Sequence, residues 1–313
     1  MLGKTAGGIY WLFRYLERAE NIARLVETGH RFTLTRGAGS VSEWRSIVQS
    51  LGMDAAYAAR HSEYSSAQVV NFLLREKGND GSLRAIIDAA RQNARLTRTA
   101  ITREVWEAVN ESWININDAL KRQVREAELP TILDIIKRNS AMVRGAVHNT
   151  MLRNDVYNFA RIGNFIERAD NTARLLDVKY YVLLPSVSFV GSSLDNVQWE
   201  AILRSTSAYS VYRWLYPGRT SAIGITEFLI LDRRFPRSLA FSYGKLCDNL
   251  RYLSQDYGVP SAALAEAEIV FAQLQSKSAA SIFERGLHEF LVEFLATNRK
   301  ICALVEQDFR FVV

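Results

Sequence analysis

Apolar residues recur three and four positions apart along almost the whole chain, which is the spacing of one helical face. Leu12, Leu16, Ala19, Ala23 and Val26 form such a face near the start. No segment has the alternation of apolar and polar residues, bounded by hairpin turns, that predicts a β-strand. We therefore predict an all-α fold, a helical bundle. The predicted helices span residues 8–34, 43–60, 65–76, 82–126 with a break near 99–103, 131–152, 155–184, 195–216, 221–232, 238–257, 261–276 and 279–310.

One helical segment returns 150 positions later. Residues 15–25 read YLERAENIARL, and residues 165–175 read FIERADNTARL. Many of the matching residues are polar, so the packing of an apolar face does not by itself explain the match. The repeated segment indicates an internal duplication.

Two further blocks match in the same order. One lies around Trp44 and Trp199 at an offset of 155 residues, and the other around Ser82 and Ser238 at an offset of 156. We predict two helical repeats of typical domain length, 1–153 and 154–313. No linker-like composition separates them, so we expect them to pack as one compact body with a pseudo-two-fold axis.

Composition narrows the class of protein. The chain of 313 residues is 48% apolar and 23% charged, which is ordinary for a globular protein. It has no run of about 20 apolar residues that predicts a membrane span, and its first residues do not resemble a signal peptide. Cys247 and Cys302 lie far apart in the sequence. We expect a cytoplasmic protein that does not associate with a membrane.

The formal net charge of +6 raises the question of an acidic partner. Basic residues are scattered along the chain, which argues against a nucleic-acid partner. Arginine greatly outnumbers lysine, and the planar guanidinium suits paired hydrogen bonds to carboxylate or phosphate. We therefore expect internal ion-pair networks or an anionic ligand.

Helical spacing places the polar residues of the repeated segment on one face. Glu20 can pair with Arg24 one turn later, and Glu17 can bond with Asn21. Two carboxylates one turn apart repel each other, so they require a cation nearby, either an arginine or a metal ion. The candidate ligand or network residues are Glu17, Arg18, Glu20, Asn21, Arg24, Glu167, Arg168, Asp170, Asn171 and Arg174.

Three interpretations of this face stay open. It is an ion-pair network that fixes how the two halves pack, a site that grips a carboxylate or phosphate, or a metal site. Carboxylate-bridged metal sites in helical bundles usually add a histidine three residues after a glutamate, and none follows the motif glutamates. We assign no metal ligands and no cofactor.

Other catalytic templates are absent from the sequence. The four histidines are isolated, and no glycine-rich phosphate-binding motif or nucleophile motif occurs. Catalytic residues therefore remain unassigned. A second, weaker group of candidates comprises Arg91 and Arg95 on one helical stripe, with Glu104, Trp106 and Asn110 on the segment that follows. Trp106 either belongs to the core or covers an interface.

The sequence resembles the bacterial alpha-E domain family, which is named for a helical domain with a Glu-Arg motif. The resemblance rests on residues 14–25 and 163–175, which contain the two repeated segments, on the start MLGKTA at residues 1–6, on ARQNAR at 90–95, on TREVWEAVN at 102–110, and on LDRRFPRS at 231–238. It implies a genomic context: such proteins are commonly encoded beside, or fused to, a circularly permuted ATP-grasp protein, often with a transglutaminase-like protease nearby. These systems are proposed to make or modify peptides by forming amide bonds. The resemblance implies no catalytic residues.

From the residues and this resemblance, we expect an accessory helical protein that partners an ATP-grasp amide ligase and holds a peptide or acidic small molecule. The first alternative is an enzyme that uses the motif glutamates as acid or base on an arginine-bound anion. The second is a purely structural interaction protein.

Overall fold

The computed structural model describes residues 1–36, 41–181, 192–218 and 220–311. Within these ranges the chain contains fifteen α-helices and one 3₁₀ turn at Glu126–Glu128, and no strand. The all-α fold predicted from the sequence is thus confirmed. The helices are α1 (Gly3–Arg36), α2 (Val41–Ser50), α3 (Asp54–Ala58), α4 (Ser66–Leu74), α5 (Leu83–Leu96), α6 (Arg103–Ala119), α7 (Leu129–Thr150), α8 (Asp155–Tyr181), α9 (Ser193–Ser205), α10 (Tyr209–Leu215), α11 (Ala222–Ile230), α12 (Leu239–Tyr257), α13 (Ala262–Ser276), α14 (Ala279–Arg285) and α15 (Leu287–Asp308).

Three of the predicted helices are each divided in two. The breaks contain Gly52, Ser207 and Gly286, whose φ angles are +71°, +57° and +102°. A right-handed helix cannot continue through a positive φ. Apolar spacing missed these breaks because it does not report backbone conformation. The divided predictions are 43–60, 195–216 and 279–310.

The predicted break in the long segment 82–126 is confirmed, because α5 ends at Leu96 and α6 begins at Arg103. The second part of this segment is shorter than predicted, since α6 ends at Ala119. The end of the helix predicted over 155–184 lies outside the described residues.

Helices α1 and α8 form the centre of the fold. They pack along each other, and α2, α5, α7, α9, α12 and α15 pack around them. Both the apolar face of α1 and its polar face are therefore buried: Ala23 is fully enclosed, and so is Glu20 on the polar side. The motif residues belong to the interior of the protein. No helix in the described part of the chain is both long and apolar enough to cross a bilayer.

Serines at positions matched by the predicted repeat begin matching helices. Ser65 and Ser221 cap α4 and α11, while Ser82 and Ser238 cap α5 and α12; each hydroxyl accepts a hydrogen bond from a backbone N–H of the first turn. Such bonds satisfy N–H groups that have no partner within the helix. The caps define where α5 and α12 begin, and these two helices pack against α1 and α8.

Helices α1 and α8 approach closely at Gly163. A Cβ atom at this position would lie 2.4 Å from the carbonyl oxygen of Tyr10, which is a backbone atom and cannot turn away. The absence of a side chain on Gly163 therefore allows the two central helices to approach closely enough for their arginine and glutamate side chains to meet.

We expect Gly163→Ala to lower the free energy of unfolding by about 1–3 kcal/mol, because the added methyl group forces the central helices apart. Urea unfolding followed by circular dichroism measures this change. Gly145→Ala is the matched control, since a Cβ there meets nothing within 4 Å, and we expect it to be neutral or to stabilise by up to about 1 kcal/mol. Equal stability of the two variants would contradict the close approach.

Candidate functional site

The two copies of the motif face each other and exchange ion pairs. The Arg168 Nε and Nη2 atoms on α8 donate to Glu17 Oε1 and Oε2 on α1 at 2.9 and 3.0 Å. In the opposite direction, the Arg18 Nε and Nη2 atoms on α1 donate to Glu167 Oε1 and Oε2 at 2.5 and 2.9 Å. Paired hydrogen bonds of this kind are among the strongest that side chains make, and they fix the relative orientation of both partners. The motif faces thus converge on one interface.

One end of this interface holds a group that we call the closed cluster. Its carboxylates are Glu17 and Glu20, whose side chains have no exposed surface. Arg237, which precedes α12, donates from Nη1 to Glu17 at 3.3 Å and from Nη2 to Glu20. Four arginines and one asparagine bind these two carboxylates: Arg24, Arg144, Arg168, Arg237 and Asn164.

The other end holds a group that we call the open cluster. Its carboxylates are Glu167 and Asp170. Arg14 joins Arg18 on Glu167, with Nε and Nη2 at 3.0 and 2.8 Å from Oε2. Asp170 has only Arg174 as an ion-pair partner among the described residues, with Nε 2.5 Å from Oδ2. The Asp170 side chain remains 15% exposed.

The last arginine of each motif also binds the end of another helix. Arg24 Nη1 donates to the carbonyl oxygen of Ser205 at 2.5 Å, where α9 ends. Arg174 Nη1 donates to the carbonyl oxygen of Ser50 at 2.6 Å, where α2 ends. The final carbonyls of a helix have no partner within it and carry partial negative charge, so a guanidinium stabilises them. Arg24 and Arg174 therefore each couple a motif carboxylate to the end of a surrounding helix.

The pairings expected within the motif are only partly found. The Glu20–Arg24 pair is confirmed, with Arg24 Nε 3.0 Å from Glu20 Oε1. The expected bond between Glu17 and Asn21 is wrong: Asn21 Nδ2 donates to the backbone carbonyl of Glu167 at 3.2 Å. Residues of α8 and of the segment before α12 occupy the oxygens of Glu17 instead.

The arginines keep the buried glutamates ionised. Burial alone would raise the pKa of Glu17, but Arg168 and Arg237 hold it down to about 2. Burial likewise opposes Arg18 and Arg14 at Glu167, and these arginines lower its pKa to about 2. The pKa of Glu20 lies well below its usual range, because Arg237, Arg144 and Arg24 outweigh its burial.

A cavity of about 560 Å³ opens beside the open cluster. Asn21 and Asn171 line it, and both asparagines are nearly completely buried. The Oδ1 atom of Asn21 and both amide atoms of Asn171 have no hydrogen-bond partner among the described residues. Arg299 of α15 also lines the cavity; it is an exposed residue, and no described residue forms an ion pair with it. The charged groups around the cavity are Arg14, Arg18, Arg174, Arg299, Asp80, Glu167 and Asp170.

The weaker candidates lie on another face, formed by α5 and α6. Arg91 donates to Asn110 at 2.8 Å and stacks on a neighbouring tryptophan of α6. Trp106 is half-buried against the core, and Asn110 donates to its backbone carbonyl at 3.1 Å. Arg95 and Glu104 are exposed. These contacts join two neighbouring helices and do not reach the motif carboxylates.

Several residues of the clusters were missed from the sequence. They lie outside the repeated segment, some on the two central helices and some on other elements: Arg14, Asn164, Arg144, Arg237 and Arg299. Arg14, Asn164 and Arg237 lie within segments that carry the family resemblance, which was the one signal that could have found them. Among the described residues, no group of three His, Cys, Asp or Glu side chains is placed to hold a metal ion.

Comparison with known proteins identifies one family. The family Alpha-E, described as a predicted alpha-helical domain with a conserved ER motif, matches residues 1–309. Curated relatives include uncharacterized proteins of Mycobacterium bovis and Mycobacterium tuberculosis, each 23% identical over 317 aligned residues. The match covers 94% of this chain and 35% of each relative, so the chain spans about a third of their length. No solved structure matches the chain.

We expect Glu17→Gln and Glu167→Gln each to lower the free energy of unfolding by about 3–5 kcal/mol, because the first leaves the buried Arg168, and the second the buried Arg14, without its carboxylate partner. Urea unfolding measures the change. The control is Glu107→Gln, which removes an exposed pair with Arg103 and should cost less than about 1 kcal/mol. Losses as small as that of the control would show that the motif pairs do not organise the core.

Acid should remove the stabilisation that Glu17 provides. Its pKa is about 2 in the folded protein against an ordinary value of 4.5, so its contribution is complete above pH 4.5 and is lost as the pH falls towards 2. We therefore expect the difference in melting temperature between the wild-type protein and Glu17→Gln to shrink over this interval. A difference that stays constant from pH 5 to pH 2 would contradict the lowered pKa; these pH limits bracket roughly the two pKa values.

Proposed function

Because this chain belongs to the Alpha-E family, which is described by a helical fold and a Glu-Arg motif, we propose that it is an accessory protein that holds a carboxylate-bearing substrate for an ATP-grasp amide ligase. The substrate is a peptide or an acidic small molecule, and the holding site is the cavity beside the open cluster. The chemistry of amide-bond formation belongs to the partner.

The observation that carries this proposal is the lining of the cavity. Its volume of about 560 Å³ lies within the range of small-molecule sites. Arg299 brings a guanidinium without an ion-pair partner in the described ranges, and Asn171 brings amide donors and an acceptor that have no protein partner there. Buried polar groups are normally hydrogen-bonded, so an unpartnered buried amide beside a cavity favours a bound ligand. A guanidinium binds a carboxylate through two parallel hydrogen bonds.

The family resemblance and the length of the relatives are the two reasons for proposing this partner. The resemblance implies proteins encoded beside, or fused to, a circularly permuted ATP-grasp protein. The mycobacterial relatives extend well beyond the region that this chain matches, which agrees with a helical unit that works together with another unit. An ATP-grasp ligase activates a carboxylate, and a protein that presents carboxylate groups complements that chemistry.

The motif glutamates are poorly suited to catalysis themselves. A general acid or base works best with a pKa near the operating pH, whereas the pKa values of Glu17 and Glu167 are held at about 2. Each carboxylate also accepts paired hydrogen bonds from an arginine, and these bonds oppose its protonation. The alternative of an enzyme based on these carboxylates is therefore disfavoured, and a structural role for the closed cluster is compatible with the holding role of the open one.

The proposal predicts that the protein co-purifies with the ATP-grasp protein encoded in the same genome and raises its amide product per ATP consumed. Arg299→Ala should reduce product formation at least about fivefold and leave co-purification intact, because it removes one guanidinium contact to the substrate. Affinity purification and coupled measurement of ADP release and product provide the test.

Arg103→Ala is the matched control, since Arg103 is exposed on α6 and lies outside the cavity. It should change neither measurement. The proposal fails if the two proteins do not bind and do not alter ATP turnover or product. It also fails if Arg299→Ala and Arg103→Ala behave alike.

A further inference from the structure

Gly81 and Arg237 occupy matching places at the two clusters. Each directly precedes a serine that caps a helix, Ser82 before α5 and Ser238 before α12. Arg237 reaches across the closed cluster and binds both of its carboxylates. Gly81 lines the cavity at the open cluster and has no side chain to do the same. The closed cluster therefore has a guanidinium at this position, and the open cluster has none from the matching residue.

The carboxylate oxygens of the open cluster accept fewer hydrogen bonds from described residues than those of the closed cluster. Glu17 Oε1 accepts from Arg168 and also from Arg237. The corresponding atom, Glu167 Oε1, accepts only from Arg18 within the described ranges. On Asp170, Oδ1 has a single long contact of 3.5 Å to Arg174 Nη2. One oxygen of each carboxylate can therefore accept a further hydrogen bond.

The two clusters also differ in the number of arginines that bind their carboxylates. In the closed cluster, four arginines bind two carboxylates, an excess of 4 − 2 = 2 positive charges. In the open cluster, three arginines bind two carboxylates, an excess of 3 − 2 = 1. The closed cluster thus contains one guanidinium more than the open cluster, and Arg237 supplies a guanidinium that bridges Glu17 and Glu20. The rim of the cavity carries Asp80 together with Arg299, which leaves this difference unchanged.

We propose that the open cluster binds a guanidinium group of a ligand, which contacts Glu167 and Asp170 as Arg237 contacts Glu17 and Glu20. This inference rests on the proposed holding function and adds the substrate class: a peptide or amino acid with an arginine side chain beside a free carboxylate. A guanidinium fits better than an ammonium because it directs separate N–H groups at two carboxylates in one plane. The ligand's carboxylate then faces Arg299, and Asn171 supplies a further polar contact.

The test uses N-acetyl-L-arginine and N-acetyl-L-citrulline as probes in isothermal titration calorimetry. Both carry a free carboxylate and nearly the same side-chain shape, but citrulline has a neutral ureido group. We expect the wild-type protein to bind the arginine probe at least about tenfold more tightly, because hydrogen bonds between two charged groups are stronger than those to a neutral donor.

Gly81→Arg should abolish binding of the arginine probe by placing a tethered guanidinium in the cavity. A Cβ at Gly81 meets the Cε atom of Met53 at 2.2 Å, which is the end of a flexible side chain that can move aside. Gly145→Arg is the matched control, because its Cβ has open space, and it should bind as the wild-type protein does. Asp170→Asn should remove the preference for the arginine probe over the citrulline probe. Circular dichroism melting establishes that each variant is folded.

The outcomes separate the two proposals. If the wild-type protein binds neither probe and does not bind N-acetyl-L-glutamate, the holding function and the guanidinium inference both fail. If it binds N-acetyl-L-glutamate or the citrulline probe as tightly as the arginine probe, the holding function stands and the guanidinium inference is overturned. Unimpaired binding of the arginine probe to folded Gly81→Arg also overturns the inference.

Discussion

The fold depends on the reciprocal pairing of glutamate and arginine between its two central helices. Glu17 is bound by Arg168, and Glu167 is bound by Arg18, each through two hydrogen bonds. Ionised groups are costly to remove from water, and their attraction offsets this cost only when the geometry is good and the remaining atoms are bonded. Any rotation of α1 against α8 would separate both pairs. The pairs consequently permit one relative position of the two helices, and the surrounding helices pack on that arrangement.

Two arginines connect the central helices to the ends of surrounding helices. Arg24 and Arg174 each bind a motif carboxylate and also the last carbonyl of a helix on the opposite half of the chain. The ends of α9 and α2 are thus positioned by the same groups that position the central helices. Asp170 and the end of α2 are bound by the same side chain, that of Arg174. The motif residues thus position the packed helices, and several of them also line the cavity.

The fold class was predictable from sequence because apolar spacing reports which face of a helix is buried. Breaks such as Gly286 were missed, since a positive φ leaves no trace in that spacing. For the site, helical geometry located the stripe of Glu17, Glu20 and Arg24 and one of its internal pairs. It could not locate Arg237 or Arg144, because these residues reach the cluster from distant elements, and no local rule brings them together. A polar stripe on a helix usually faces solvent, whereas the polar stripe of α1 is buried and its carboxylates are paired with arginines.

The glycine at position 81 has a consequence for how such a protein can be assembled. In a two-fold symmetric dimer, both subunits use the same surface patch, so every contact between two residues occurs twice. A homodimer built this way would carry the same residue at both matching positions, so both clusters would be sealed or both would be accessible. A single chain is free of that restriction. It can carry arginine at 237, where the side chain binds Glu17 and Glu20, and glycine at 81, so that the proposed ligand site is present in one half only.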